Sequence, residues 1–319
     1  MKKTRLAIIF GGFSNEKEIS KITTDSIVRN LNKRKYNIVL FDLTKDIKIF
    51  LELAQKGEID LVIPAVHGWG GEDGRLQGML DLLGIKYVFS PYYAHAVAMN
   101  KKLTKLVAEK NGLTTLPDIL IKKAGKINYV NIIKKIPFPI IIKPNNSGSS
   151  VGIKIAKNLR ELKSAIKYGF RFDDELIIEK YVSGREFTVA IYKKKQVKTL
   201  PIIEIVPKIS SWFDYKAKYA QGGSEEICPA KIPSSLAKDI KNQGIKIFEA
   251  LGCKDLARAD FIQDRKTGRI YFIEINTIPG MTPASLFPKA LAAAGSSLGS
   301  YFDDIIKQNI NNVRTNKKS

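Results

Sequence analysis

An α/β fold that opens with a doubly wound parallel sheet is what this sequence predicts, on three grounds. Apolar runs at Arg5–Phe10 and Asp60–Val66 end in Gly11-Gly12 and His67-Gly68, the pattern of buried parallel strands. Strand-like and helix-like segments alternate through residues 1–95. Farther along, paired strand runs close on polar turns, which reads as hairpins in two later units.

Within 1–95, Arg5–Phe10 and Tyr36–Asp42 are expected strands joined by a helix from about Ser20 to Leu31. Asp60–Val66 is the next strand, Gly78–Leu83 a helix and Ile85–Phe89 a further strand. Ligands of such sheets sit beyond the carboxyl ends of the strands, where both glycine turns fall. The unit 96–181 starts with a helix over Ala98–Asn111, followed by a strand at Phe138–Lys143 with prolines at its start. Asn158 is placed to cap a helix with Leu159, Leu162, Ala165 and Ile166 on one face, and Leu176–Val182 is a strand. The unit 182–319 holds strands at Phe187–Tyr192 and Val197–Val206, then an irregular aromatic stretch over 207–226. A helix capped by Ser234 and a hairpin of Leu256–Gln263 with Arg269–Asn276 complete it.

A chain of 319 residues, 44% hydrophobic and 26% charged, can bury a substantial core and is not of the disordered class. No run approaches the roughly 20 apolar residues that cross a bilayer, so no membrane partner is expected. The start, Met1-Lys-Lys-Thr-Arg5 and an apolar run, resembles a secretory signal. That run stops at Gly11-Gly12 before Glu16-Lys17-Glu18, so a cytoplasmic protein is expected. Cys228 and Cys253 lie outside any Cys-x-x-Cys and read as small core residues. The net charge of +22 invites a nucleic-acid reading. The lysines are scattered, however, and there is no basic helix or aromatic platform, so a solvated surface is favoured and no nucleic-acid partner is expected.

Three stretches carry chemistry. In Ile140-Ile-Ile-Lys143-Pro-Asn-Asn-Ser-Gly-Ser149-Ser150-Val-Gly152 a strand ends in lysine and small residues follow. Their backbone N–H groups can close on phosphate oxygens, and Lys143 adds a point charge. A plain glycine-serine hairpin explains the same residues equally well. It is neither a Walker A loop nor a dinucleotide fingerprint. In Leu176-Ile-Ile-Glu179-Lys180-Tyr181-Val182, Glu179 at a strand end suits an adenine edge and ribose, although an amphipathic edge strand is the simpler account. The third stretch weighs most. Arg258 and Asp260 share a strand face, as do Glu274 and Asn276, and closing the hairpin brings Asp260 within a residue or two of Glu274. Two carboxylates and an amide oxygen among apolar neighbours suit Mg²⁺, which completes its shell with waters and phosphates. A solvated, salt-bridged hairpin is the competing account.

At these residues the chain resembles the D-alanine–D-alanine ligases of the ATP-grasp superfamily, nearly end to end. The match includes Gly11-Gly12-Phe-Ser-Asn-Glu16, His67-Gly-Trp-Gly-Gly-Glu72-Asp-Gly74, Lys143–Gly152, Phe213-Asp-Tyr-Lys-Ala-Lys218-Tyr219 and Glu274-Ile-Asn-Thr-Ile-Pro-Gly280-Met-Thr282. The resemblance implies an ATP-grasp fold after the parallel-sheet unit. It implies ATP bound by Lys101, Lys143, Ser150, Glu179, Lys180, Val182, Glu186 and Lys218, and two Mg²⁺ (or Mn²⁺) held by Asp260, Glu274 and Asn276. Glu16, Ser149, Tyr219, Arg258 and Ser285 take the catalytic roles, and His67, Gly280 and Leu286 join Glu16, Arg258 and Ser285 around two D-alanine molecules. His67 either orients substrate or satisfies a buried strand end. A homodimer and peptidoglycan precursor synthesis are also implied.

The chemistry suits these residue types. Phosphorylating a carboxylate makes it an electrophile, mainly by positioning and charge neutralisation. Arg258 and the Gly280 N–H would then meet the oxyanion formed when an amine attacks. The aromatic segment 207–226 would close over the acyl phosphate. Tyr219 resembles the form of that loop that goes with D-alanine as second substrate. Lys216 and Asn100 depart from the family's usual glutamate and aspartate. The alternatives are a ligase using D-lactate or D-serine second, and a regulatory or RNA-binding relative without turnover.

Overall fold

The computed structural model describes residues 3–14, 16–148, 150–208 and 222–311, which form three sheets with helices packed on them. The first sheet is parallel, in the order β2-β1-β3, from β1 (Thr4–Phe10), β2 (Tyr36–Asp42) and β3 (Leu61–Pro64). Alternation along β1 winds it on both sides: Leu6 and Ile8 enter one core, Ala7 and Ile9 another. α1 (Lys17–Asn30) covers the first face, and α2 (Ile47–Gln55) and α3 (Arg75–Leu82) cover the second. Helix α2 is an addition to the elements expected from sequence. The strand expected at Ile85–Phe89 reduces to one parallel bridge, Tyr87 with Val62, because Phe89 turns to φ 76 and breaks the extended chain.

The single helix expected over Ala98–Asn111 is two, α4 (Tyr92–Met99) and α5 (Lys101–Lys110). Asn100 between them is extended, and its side chain accepts from Leu103 N at 2.9 Å, capping α5. The second sheet is antiparallel, in the order β4-β7-β5-β6, from β4 (Asp118–Lys122), β5 (Ile140–Pro144), β6 (Lys154–Ala156) and β7 (Glu175–Lys180). α6 (Tyr129–Lys135) and α7 (Leu159–Gly169) pack on the face bearing Ile140, Ile142, Leu176 and Ile178. Asn158 caps α7 as expected, accepting from Glu161 N at 2.9 Å. The opposite face therefore carries Ile141, Lys143, Ile177 and Glu179, with Ile141 opposite Glu179 and Lys143 opposite Ile177.

The third sheet runs β11-β10-β8-β12-β13, with β9 added to β8. Its strands are β8 (Gly184–Lys193), β9 (Val197–Thr199), β10 (Ile203–Pro207), β11 (Ser224–Ile227), β12 (Leu256–Asp264) and β13 (Ile270–Asn276). The expected strand Val197–Val206 divides into β9 and β10 at Pro201, which has no N–H for the ladder. α8 (Ser234–Ala250) and α5 cover the face of Val189, Ala257 and Ala259. Ser234 is the first helical residue rather than the cap. Pro233 holds the cap position, where its fixed φ suits a helix start. α9 (Leu286–Ala293) and α10 (Leu298–Asn311) share one core with Leu6, Ile8 and α1, which binds the first sheet to the third. Cys253 is buried, which pushes its thiol up to about 12, and Cys228 is half-buried. Among the described residues no helix is long and apolar enough to cross a membrane.

Candidate active site

The β12–β13 hairpin pairs Arg258 with Asn276 and Asp260 with Glu274. All four lie on the face away from α5 and α8, because their neighbours Ala257, Ala259 and Ile275 fill the core behind them. A bulge follows: Asp260 pairs with Glu274 but Phe261 with Phe272, so Ile273 is extra and lies in the cleft wall. Arg258 forks onto Asp260, Nε to Oδ1 and Nη2 to Oδ2, both at 3.0 Å. Thr188, opposite Asp260 on β8, donates to Oδ1 at 2.5 Å. Burial opposes the Arg258 cation, but the Asp260 charge and hydrogen bonds overcome it and raise its pKa. Asn276 Oδ1 accepts from Ile278 N at 2.9 Å, which fixes the turn after β13. Thr277 Oγ1 meets His95 Nδ1 at 2.6 Å, and burial depresses His95 to about 3, so the turn leans on a neutral imidazole.

The second sheet supplies the other wall. Lys143 Nζ lies 2.5 Å from Glu179 Oε2. Burial pushes the lysine down, but Glu179 foremost, with Glu274 and Glu186, raises it overall. Burial likewise raises the Glu179 carboxyl, yet the Lys143 and Lys105 charges hold it at about 2. Lys101 donates to Ser147 O and stands 3.8 Å from Glu274 Oε2. Asn145 fastens this corner: its backbone oxygen takes Lys101 N, and its side chain takes Lys102 N, each at 2.9 Å. Between the two sheets lies a cavity whose apolar walls are Ile141, Ile205, Phe261 and Ile273. Val182 also lines it, and its polar rim carries Lys101, Lys143, Ser150, Lys180 and Glu186, with Asp260 and Glu274 at the hairpin.

A second cavity of about 550 Å³ adjoins it, and the two share Lys101, Ser147, Gly148 and Glu274. Its walls carry Glu16, His67, Arg258, Asn276, Gly280, Ser285 and Leu286. Glu16 is the cap residue of α1, but its carboxylate makes no cap bond. It rests instead against backbone: a Cβ at Gly68 would stand 2.8 Å from its Oε2, and one at Gly148 3.4 Å. Gly12, at φ +100, lets β1 end close to the β3 loop, where a Cβ would meet Val66 at 2.7 Å. Ser20 Oγ ties that end together, accepting from Gly11 N at 2.8 Å and donating to Ala65 O at 2.6 Å. His67 is 4% exposed, with Nε2 at 3.1 Å from Thr23 Oγ1 and Nδ1 at 3.5 Å from Glu72 Oε1. Burial lowers its pKa, but Glu72 and then Glu16 raise it on balance. Ser285 Oγ lies 2.8 Å from Thr282 Oγ1 and against Gly280.

The sequence-predicted residues are thus largely brought together. Glu179 stands apart: it is 5% exposed and lies behind Lys143, because two ammonium groups draw its carboxylate inward. Ser149, Lys216, Lys218 and Tyr219 lie outside the described residues. Sequence reading assigned nothing to Glu72, Glu226, Thr188 or Lys105. Glu72 and Glu226 line the second cavity, and Glu72 also accepts from Gly68 N at 2.8 Å. Glu72 sits within the quoted His67–Gly74 run, and Lys105 is one helical turn from Lys101. Those were the available signals.

The comparisons follow the same lines. Residues 5–56 and 47–90 match the family model described as D-ala D-ala ligase N-terminus, and 107–309 match D-ala D-ala ligase C-terminus. The chain belongs to the D-alanine–D-alanine ligase family. A member from Syntrophobacter fumaroxidans is 36% identical over 307 residues, covering 96% of this chain and 97% of that one. The crystal structure of D-alanine–D-alanine ligase from Bacillus anthracis complexed with ATP superposes with a TM-score of 0.84 at 33% identity, over 98% of this chain and 99% of that chain. The VanG D-Ala:D-Ser ligase from Enterococcus faecalis gives a TM-score of 0.81 at 28% identity, over 96% and 99%.

Proposed function

We propose that this ligase joins two D-alanine molecules at the expense of ATP, with each named residue acting as follows. The observation that carries the reading is that the inter-sheet cavity and the Glu16–Arg258 cavity lie side by side and share Lys101, Ser147, Gly148 and Glu274 in their walls. ATP lies between the sheets, its base against Ile141, Phe261 and Val182, its ribose near Glu186 and its phosphates toward Lys101 and Lys143. The first D-alanine sits beyond, its ammonium against Glu16. Its carboxylate oxygen bonds to the γ-phosphorus as the bridging P–O bond to ADP breaks, a step that demands alignment and charge neutralisation more than covalent help. The amine of the second D-alanine, held by Ser285 and Leu286, attacks the acyl carbon. Arg258 and the Gly280 N–H receive the oxyanion, the amine proton passes to solvent, and the C–O bond to phosphate breaks.

The donor set fits a divalent cation of the Mg²⁺ type. Asp260, Glu274 and Asn276 offer three oxygen donors and leave positions for phosphate and water. Among the described residues there is no cluster of three His, Cys, Asp or Glu side chains, so such an ion would depend on the amide and on the nucleotide as well. Bound there, it would neutralise phosphate charge. We further propose three units, 1–95, 96–181 and 182–319, a cytoplasmic location, a homodimer readable by sedimentation, a closing role for the segment 207–226 with Lys218 and Tyr219, and a hydrogen-bonding role for Ser149 beside Glu16.

Phosphate release with D-alanine, D-lactate and D-serine tests the reading. Turnover with D-alanine alone is the expected result, and none would reject it. The similarity to a D-Ala:D-Ser ligase supplies the second reading, in which D-serine is the better second substrate.

A further inference from the structure

We infer that Lys105 is a positioning residue for the nucleotide: it fixes Glu179, and through Glu179 the place of the Lys143 ammonium in the cleft. The inference rests on the nucleotide reading given above. α5 carries Lys101 and Lys105 one turn apart, so both lean to the same side. Lys101 reaches the cavity wall, whereas Lys105 stops beneath it, 1% exposed. An ammonium has three N–H donors. Lys105 meets three acceptors: Leu116 O at 2.6 Å, Asp118 Oδ1 at 3.1 Å and Glu179 Oε1 at 2.5 Å. Strand register sets Asp118 directly opposite Glu179, where two carboxylates would repel without a cation between them. Lys102 takes the other Asp118 oxygen at 2.7 Å, and Lys143 the other Glu179 oxygen at 2.5 Å. Charge therefore alternates from Lys102 through Asp118, Lys105 and Glu179 to Lys143, and this last cation lines the cavity. Buried ion pairs contribute little net stability beside good apolar packing, but truncating one partner strands the other charges. What the cluster supplies here is a fixed site for the Lys143 charge.

Lys105→Met and Lys105→Arg are compared with the wild-type chain by KM for ATP, KM for D-alanine and thermal melting. Lys105→Met is expected to raise KM for ATP roughly tenfold or more while KM for D-alanine stays within about twofold. Lys105→Arg keeps the charge but not the three-way convergence, and is expected in between, at about threefold. A folded Lys105→Met with unchanged KM for ATP, or with equal rises for both substrates, overturns the inference. If Lys105→Met does not fold, Lys105→Arg decides by the same criterion: a selective rise supports the inference and an unchanged value overturns it. Wild-type turnover is the separate control. A wild-type chain inactive with ATP and D-alanine removes the nucleotide reading itself, whatever the variants do.

Discussion

Arg258 shows how one side chain serves two ends. Its fork holds both oxygens of Asp260, and it also stands in the wall of the second cavity. Burial of that cation is offset by Asp260, with Glu274 and Glu72 adding to it. Arg258→Ala is expected to leave ATP affinity within a few-fold, because Lys101 and Lys143, which line the inter-sheet cavity, remain. Turnover should fall by about 10²–10³-fold, the usual loss of an oxyanion donor. Steady-state kinetics read this, and a near-normal kcat would take Arg258 out of the chemistry. The residue types were legible in the sequence, since Arg258, Asp260, Glu274 and Asn276 alternate on two strands. Their opposition was legible only to within a residue or two, because the bulge after Asp260 shifts the hairpin register, and the Thr188 bond was not legible at all, because β8 lies far from β12 in the chain.

At the scale of elements, strand contacts govern the cleft. β8 and β12 approach so closely at Gly184 that a Cβ there would lie 2.0 Å from Gln263 O, a backbone atom that cannot swing aside. Gly184→Ala should therefore cost on the order of 1–3 kcal/mol or more, the range for overpacking a tight contact. A denaturation midpoint unchanged from wild type would show that these strands yield. Sequence patterns foresaw elements whose own residues decide them, such as α7 with Asn158 at its cap and the β12–β13 hairpin. They did less well where a single residue interrupts a pattern. Asn100 divides one apparent helix into two, and Pro201 divides one apparent strand. Phe89 takes a backbone turn that an aromatic side chain does not advertise.

For the whole molecule, the joint between the first and third sheets is centred on Asp255. Its Oδ2 accepts from Phe89 N at 2.9 Å and from Asn309 Nδ2 at 2.8 Å, linking the first unit, β12 and α10. Burial raises its pKa, against the pull of Lys254. A carboxyl raised on folding gives its full stability below its unfolded value of about 3.9, and that stability is lost as pH climbs through the folded value. Asn keeps the acceptor and tolerates the φ of 57 at this position. Asp255→Asn should therefore gain on wild type as pH rises, with a melting-temperature difference more favourable at about pH 8 than at about pH 4. Equal differences at both pH values would mean that Asp255 carries no such burden.

By itself the sequence determined the chemistry on offer: the acids, the arginine, the lysines, the glycine turns and the order in which they occur. It did so because side-chain type and short-range alternation are local properties. Tertiary structure alone decided which charges meet. Glu179 looks like a cleft residue from its strand, yet Lys105 and Lys143, distant in the chain, draw it inward. Electrostatic pairing inside a protein follows distance in space, and that distance exists only once the sheets have closed on one another.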